Sequence, residues 1–136
     1  MADHRRTRGL IDTSVVIDFE SIDPERLPRE CAVSAMTMAE LAAGPHATTE
    51  AAERARRQDR LQRAEATFDP IPVDGNVARA YGRVYAAVVA SGRMARGQRA
   101  IDLLIAATAV ASSLPLYTRN PSDFVGLSEL LEIVTV

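Results

Sequence analysis

The chain has 136 residues, of which 47% are hydrophobic and 25% are charged, with a formal net charge of −2. This length suits one domain around a single core, and the composition is ordinary for a globular protein. All 16 basic residues are arginine, which disfavours P-loop nucleotide hydrolysis and pyridoxal-phosphate chemistry because both need a lysine amine.

Strands and helices are predicted to alternate along the chain. Short apolar runs predict strands at 9–11, 31–33, 71–73, 114–117 and 132–136. Apolar residues at helical spacing predict helices between them, at 15–17, 36–43, 50–67, 75–90 and 101–109. This alternation is typical of a parallel sheet with helices on both faces. We therefore predict a three-layer α/β/α fold around a parallel sheet of four to five strands.

Local signals mark several element boundaries. Gly44 followed by Pro45 ends the second helix, and Asp74 is a suitable N-cap for the fourth. In that fourth helix, apolar side chains recur at the spacing of one buried face: Val77, Tyr81, Val84 and Val88.

The whole chain, residues 1–136, is expected to form one domain, with a flexible basic segment at 1–8. Cys31 is the only cysteine and cannot form an internal disulfide, which is usual in a reducing compartment. The longest apolar run, 103–111, is too short to cross a bilayer. We expect a soluble cytoplasmic protein without membrane contact.

Four acidic residues occupy positions that deserve functional interpretation. Asp12 directly follows the first strand, and Asp123 follows the strand at 114–117. Glu40 and Asp102 lie near the starts of helices. Because open α/β sheets bind ligands at the carboxyl ends of their strands, we expect the four carboxylates to meet there.

Three of these acids have an adequate structural alternative. Asp12 could cap the helix that follows it, and Asp123 could lie in a helical turn that Asn120 and Pro121 begin. Glu40 could be an isolated charge on a solvated helix face.

Asp102 is harder to explain structurally. It is the only charge between Arg99 and Arg119, and its neighbours are Ile101 and Leu103. A carboxylate in such an apolar helix is costly unless it is paired, capped or coordinated, so we expect it to be buried without a salt-bridge partner. The alternative is again a cap, if the helix begins one residue later.

Four adjacent carboxylates would repel one another, which favours a bound cation. Hard oxygen ligands select Mg²⁺ or Mn²⁺, and such ions activate water or clamp the oxygens of a phosphodiester. The remaining candidates for a metal site, His4, His46 and Cys31, do not make a zinc site. The sequence therefore predicts a metal-dependent hydrolytic site.

Four segments resemble the motifs of PIN domains, and more closely those of the VapC toxins of bacterial toxin–antitoxin pairs. They are LIDTSV at 10–15, MAEL at 38–41, DLLIAATA at 102–109 and TRNPSDF at 118–124. The resemblance implies a PIN-like fold and Mg²⁺- or Mn²⁺-dependent endoribonuclease activity on RNA of the tRNA or rRNA class. It also implies a homodimer and a cognate antitoxin whose tail blocks the active site.

The resemblance assigns roles to particular residues. It implies that the catalytic acids are Asp12, Glu40, Asp102 and Asp123, and that the metal ligands among them are Asp12, Asp102 and Asp123. It further implies that the site is oriented by polar residues at Ser14, Thr118 and Asn120. Ser113 departs from the pattern, because relatives often have glycine there, and it predicts a slightly different turn before the fourth strand.

Arginines supply two candidate RNA-binding surfaces. Arg93, Arg96 and Arg99 precede Asp102 and could contact phosphate near the site, although a solvated surface explains them equally well. For the helical stripe of Arg56, Arg60 and Arg63 the solvated surface is the better interpretation. A genome-wide preference for arginine also accounts for the lack of lysine.

Two other functional classes stay open. A phosphotransfer or phosphatase-like domain could use Asp12 as nucleophile. Against it, a receiver domain usually needs a lysine, and haloacid-type phosphatases have a second aspartate where Ser14 stands. A non-catalytic protein could keep the same acidic pocket only to bind a metal.

Overall fold

A computed structural model describes residues 5–93 and 97–136. Four strands form one parallel sheet in the order β2-β1-β3-β4. The strands are β1 (Arg8–Ile11), β2 (Glu30–Ala32), β3 (Leu116–Thr118) and β4 (Ile133–Thr135). Leu10 of β1 lies opposite Ala32 of β2 and Leu116 of β3. The predicted parallel α/β fold is confirmed, with four strands.

In the part of the chain that the structure describes, five α-helices cover the sheet: α1 (Thr13–Ile17), α2 (Ala35–Ala43), α3 (Ala51–Thr67), α4 (Gly75–Ala90) and α5 (Gln98–Ala111). Short 3₁₀ turns lie at Phe19–Ser21, Pro24–Arg26, Gly44–Ala47 and Pro121–Phe124. Alternate residues of β1 face opposite sides, so Leu10 packs with α4 and α5 while Ile11 packs with α1, α2 and α3. The sheet therefore separates two apolar cores, as a three-layer arrangement requires.

The prediction of a strand at 71–73 is wrong. Only Ile71 pairs with the sheet, in a single parallel bridge to Ser34. Its N–H donates to the Val33 carbonyl and its carbonyl accepts from Ala35 N–H, both at 2.9 Å. The flanking prolines have no N–H to donate, so the ladder cannot extend past this one residue.

The N-terminal segment expected to be flexible is hydrogen-bonded from Arg6 onward. The carbonyls of Arg6 and Thr7 accept from the N–H groups of Arg29 and Glu30, at 2.9 and 3.0 Å, and Arg8 already belongs to β1. Of the helices in the described ranges, none is long and apolar enough to cross a membrane.

The turn after α5 corrects the expectation for Ser113. Leu114 N–H donates to the Ala109 carbonyl at 2.9 Å, and Ser113 N–H donates to the Val110 carbonyl at 3.2 Å. These two bonds define a Schellman motif, whose central residue is usually glycine. Ser113 adopts the left-handed conformation at φ 54°. The turn is therefore the one that glycine would form, with serine under backbone strain.

Candidate active site

The carboxyl end of β1 is the switch point of the sheet. From β1 the chain passes to β2 on one side, and β3 lies on the other side. Asp12 follows β1 at this point, and its N–H donates to the Tyr117 carbonyl of β3 at 3.0 Å. Ligand sites of open α/β sheets form at such points. Asp12 is thus fixed at the place where a site is expected.

Asp12 is a buried carboxylate, with 5% of its surface exposed. Its Oδ1 accepts from the Ser14 hydroxyl at 2.5 Å and from Val15 N–H at 3.2 Å. Burial raises the pKa of Asp12 above its ordinary value, while hydrogen bonds from Ser14, Thr118 and the backbone oppose that rise. Asp12 does cap α1, as the structural alternative supposed. Capping alone does not explain a buried charge, because asparagine caps equally well.

Ser14 and Thr118 connect Asp12 to the end of β3. The Ser14 hydroxyl accepts from Arg119 N–H at 3.1 Å while it donates to Asp12. Thr118 is fully buried, and its hydroxyl oxygen accepts from Asn120 N–H at 2.9 Å. The Asn120 side chain is exposed, so this residue reaches the network through its backbone.

Glu40 is held against α1 and is not an isolated solvated charge. The Thr13 hydroxyl donates to Glu40 Oε1 at 2.6 Å, and both residues are partly buried. Thr13 was missed by sequence reasoning. Its only sequence signal is its position directly after Asp12.

Asp102 lies inside α5 as its fifth residue, because Gly97 is the N-cap and the helix begins at Gln98. The capping alternative for Asp102 is therefore wrong. The expectation that Asp102 is buried is also wrong, since its burial is only intermediate. Asp102 does take part in an interaction, and whether it has a salt-bridge partner stays a prediction.

Asp123 lies in the 3₁₀ turn Pro121–Phe124, where its N–H donates to the Asn120 carbonyl at 3.0 Å. Two arginines brace this turn. Arg93 Nη1 donates to the Ser122 carbonyl at 2.9 Å, and Arg99 Nη1 donates to the Asp123 carbonyl at 3.3 Å. These two side chains therefore fix the turn that carries Asp123. Arg96, the third arginine of the predicted RNA surface, lies outside the described residues.

Across 5–93 and 97–136, no three His, Cys, Asp or Glu side chains come close enough together to hold a metal ion. The acidic residues nevertheless fit Mg²⁺ in their chemistry. They offer only oxygen atoms, and Mg²⁺ keeps several waters while binding one or two carboxylates. The convergence of all four acids on one ion stays a prediction.

The family model of the PIN domain matches residues 9–125 of the chain. The chain belongs to the PIN-domain family. This PIN domain is 35% identical over 133 residues to "Ribonuclease VapC5" of Mycobacterium tuberculosis, covering 94% of this chain and 95% of that one. It is 42% identical over 102 residues to "Ribonuclease VapC8" of the same species, covering 74% and 89%.

Solved structures agree with this assignment. VapBC-5 from Mycobacterium tuberculosis, a member of the VapBC family of toxin–antitoxin systems, matches with a TM-score of 0.84 and 33% identity, over 96% of this chain and 99% of that one. VapBC2 from Rickettsia felis, bound to a promoter DNA fragment, matches with a TM-score of 0.73 and 19% identity, over 95% and 98%. At that identity the second match shows the shared fold alone. The predicted resemblance to VapC proteins is confirmed.

Proposed function

We propose that this PIN domain is a Mg²⁺- or Mn²⁺-dependent endoribonuclease and the toxin of a toxin–antitoxin pair. The observation that carries the proposal is Asp12, a buried carboxylate of raised pKa held at the switch point of the sheet. The fold does not need a charged residue at the end of β1, and carboxylates with a shifted pKa cluster at functional sites. The names of the similar proteins, ribonucleases and toxin–antitoxin complexes, support this choice of reaction.

In this proposal, Asp12, Asp102 and Asp123 would hold the ion through carboxylate oxygens. The bound ion would supply activation of water and neutralisation of charge on the phosphate. Ser14 and Thr118 keep the Asp12 carboxylate in one orientation, and Arg99 braces the turn that carries Asp123. Rigid placement of this kind lowers the barrier because the groups need no rearrangement during reaction.

Glu40 is proposed as the group that moves the proton. Water adds to phosphorus, one P–O ester bond breaks, and a proton passes from the water, by way of Glu40, to the leaving oxygen. The Thr13 hydroxyl donates to Oε1 of this carboxylate at 2.6 Å and so holds the group in place. The products are a phosphomonoester and a free hydroxyl group.

The proposed partners are RNA of the tRNA or rRNA class, a cognate antitoxin and a second copy of the chain. The similar toxin–antitoxin structures support the antitoxin. We propose that the homodimer forms through Tyr85 and Val89, which are 44% and 54% exposed on one face of α4. Large exposed apolar side chains at this spacing are typical of a contact surface. We propose a cytoplasmic location, where RNA and antitoxin are both present.

The test is RNA cleavage by the purified, antitoxin-free protein. We expect Mg²⁺ or Mn²⁺ to support cleavage, EDTA to stop it and Asp12→Asn to abolish it. Asp59→Asn is the matched control, because Asp59 lies exposed on α3 beside Arg63 and should leave the rate unchanged. Cleavage that persists in EDTA would contradict the metal mechanism. Metal binding without cleavage would favour a non-catalytic domain, and release of phosphate from phosphomonoesters would favour a phosphatase-like one.

A further inference from the structure

Thr13 links α1, which Asp12 caps, directly to α2, which carries Glu40. Its hydroxyl donates to Glu40 Oε1 of α2 at 2.6 Å, while Thr13 itself is the first residue of α1, directly after Asp12. We propose that Thr13 is a positioning residue that holds the Glu40 carboxylate at the carboxyl end of β1. This inference rests on the proposed nuclease function, because that function assigns Glu40 a proton transfer for which its carboxylate must lie at a defined position.

The hydroxyl has a single proton and two acceptors within reach. Glu40 Oε1 lies at 2.6 Å, and Thr37 Oγ1 lies at 3.1 Å. Hydrogen bonds to ionised acceptors are shorter and about twice as strong as neutral ones. The carboxylate is therefore the main acceptor, and the buried Thr37 hydroxyl is the weaker one.

The anchor itself is rigid. α1 has only five residues, and its first turn is fixed by the Asp12 cap and by the Ser14 hydroxyl, which also accepts from Arg119 N–H of the neighbouring strand end. On the other side, β2 ends at Ala32 and α2 begins at Ala35, with Ser34 as N-cap. Thr13 therefore sets the position of Glu40 relative to Asp12 across two adjacent strands.

A residue that only packs two helices would depend on its methyl group, whereas a positioning residue depends on its hydroxyl. Thr13→Val keeps the shape of the side chain and removes the hydroxyl group. Thr13→Ser keeps the hydroxyl group and removes the methyl group. We expect Thr13→Val to lower kcat for RNA by about tenfold, which is the smallest effect expected for a hydrogen bond to a charged group. Thr13→Ser should stay within about threefold of the unchanged protein.

Two controls separate this effect from general damage. Thr37→Val removes only the weaker acceptor and should change kcat by less than about twofold. If Thr13 acts through Glu40, then Thr13→Val should have almost no further effect in a Glu40→Gln background. Since Glu40 is proposed to move a proton and not to bind the ion, Mn²⁺ binding measured by calorimetry without RNA should stay unchanged in Thr13→Val.

The outcomes are distinct. An unchanged kcat in Thr13→Val, or an equal loss in Thr13→Ser, would overturn the positioning role while cleavage by the unchanged protein leaves the nuclease function standing. A loss of Mn²⁺ binding that matches the loss of kcat would also overturn it, because Thr13 would then act through Asp12. No cleavage by the unchanged protein would overturn both proposals. If Thr13→Val does not fold, Thr13→Ala replaces it in each comparison.

Discussion

Replacement of Ser14 by alanine removes the hydroxyl group that donates to Asp12 Oδ1 at 2.5 Å. A hydrogen bond to a charged acceptor contributes about 1.5–3 kcal/mol to stability. Ser14 is only partly buried, so water replaces part of the bond and the lower end of this range applies. We expect Ser14→Ala to lower the free energy of unfolding by about 1.5 kcal/mol at neutral pH, and the melting temperature by about 5 °C.

The size of this loss should depend on pH. Burial raises the pKa of Asp12 in the folded state above its value in the unfolded state. The ionised carboxylate therefore opposes folding at neutral pH. As the pH falls through the folded pKa, protonation of Asp12 relieves that cost. The Ser14 bond stabilises the ionised form and so lowers this pKa. The difference between the unchanged protein and Ser14→Ala should therefore be largest at neutral pH and shrink once Asp12 is protonated in both.

Urea unfolding in EDTA, at neutral pH and about pH 4, measures this difference directly. Ser91→Ala is the matched control, because the Ser91 hydroxyl donates at 2.7 Å to a neutral acceptor, the Val88 carbonyl. Its loss should be about 1 kcal/mol or less and equal at both pH values. An equal loss for Ser14→Ala at both pH values would refute the assignment of a buried, ionised Asp12.

Three further predictions concern stability and assembly. In metal-free buffer, Asp12→Asn should hold or raise the melting temperature in calorimetry, since asparagine caps α1 equally well and no charge is then buried; a clear decrease would mean that the ionised carboxylate stabilises the fold. Ser113→Gly should raise the free energy of unfolding in urea by about 0.5–1 kcal/mol because it relieves the left-handed strain. The neighbouring Ser112→Gly, at φ −92°, should give no gain. Val89→Asp should convert the proposed homodimer to monomers in sedimentation velocity, and an unchanged dimer would place the interface elsewhere than this face of α4.

Much of the fold was predictable because hydrophobic spacing and helix boundary signals are local. The cap at Asp74 and the buried stripe of α4 are where the sequence predicts them, with Val77, Val84 and Val88 buried. The apolar run at 71–73 led to a wrong strand prediction, because apolar composition alone does not show which backbone groups can pair. Its two prolines allow only the bridge at Ile71.

The candidate site was less predictable, because it depends on contacts between distant parts of the chain. The position of Asp12 follows from its place after β1, but the Ser14 bond to Arg119 N–H joins residues 105 positions apart. The Thr13 bond to Glu40 likewise joins two helices, and no pattern in either helix marks it. The charge of Arg99 is compatible with a phosphate contact or a solvated surface, but it does not reveal the hydrogen bond that Arg99 donates to the Asp123 carbonyl, 24 positions away.

The central claim is that the Asp12 site cuts RNA, and mapping new RNA ends in cells tests it most directly. Total RNA would be sequenced from its newly formed ends after brief expression of the unchanged chain, Asp12→Asn or the Asp59→Asn control. We predict a small set of strong new ends in tRNA or rRNA with the unchanged chain and with Asp59→Asn, and none with Asp12→Asn. New ends that persist with Asp12→Asn, or their absence from all three samples, would contradict the account.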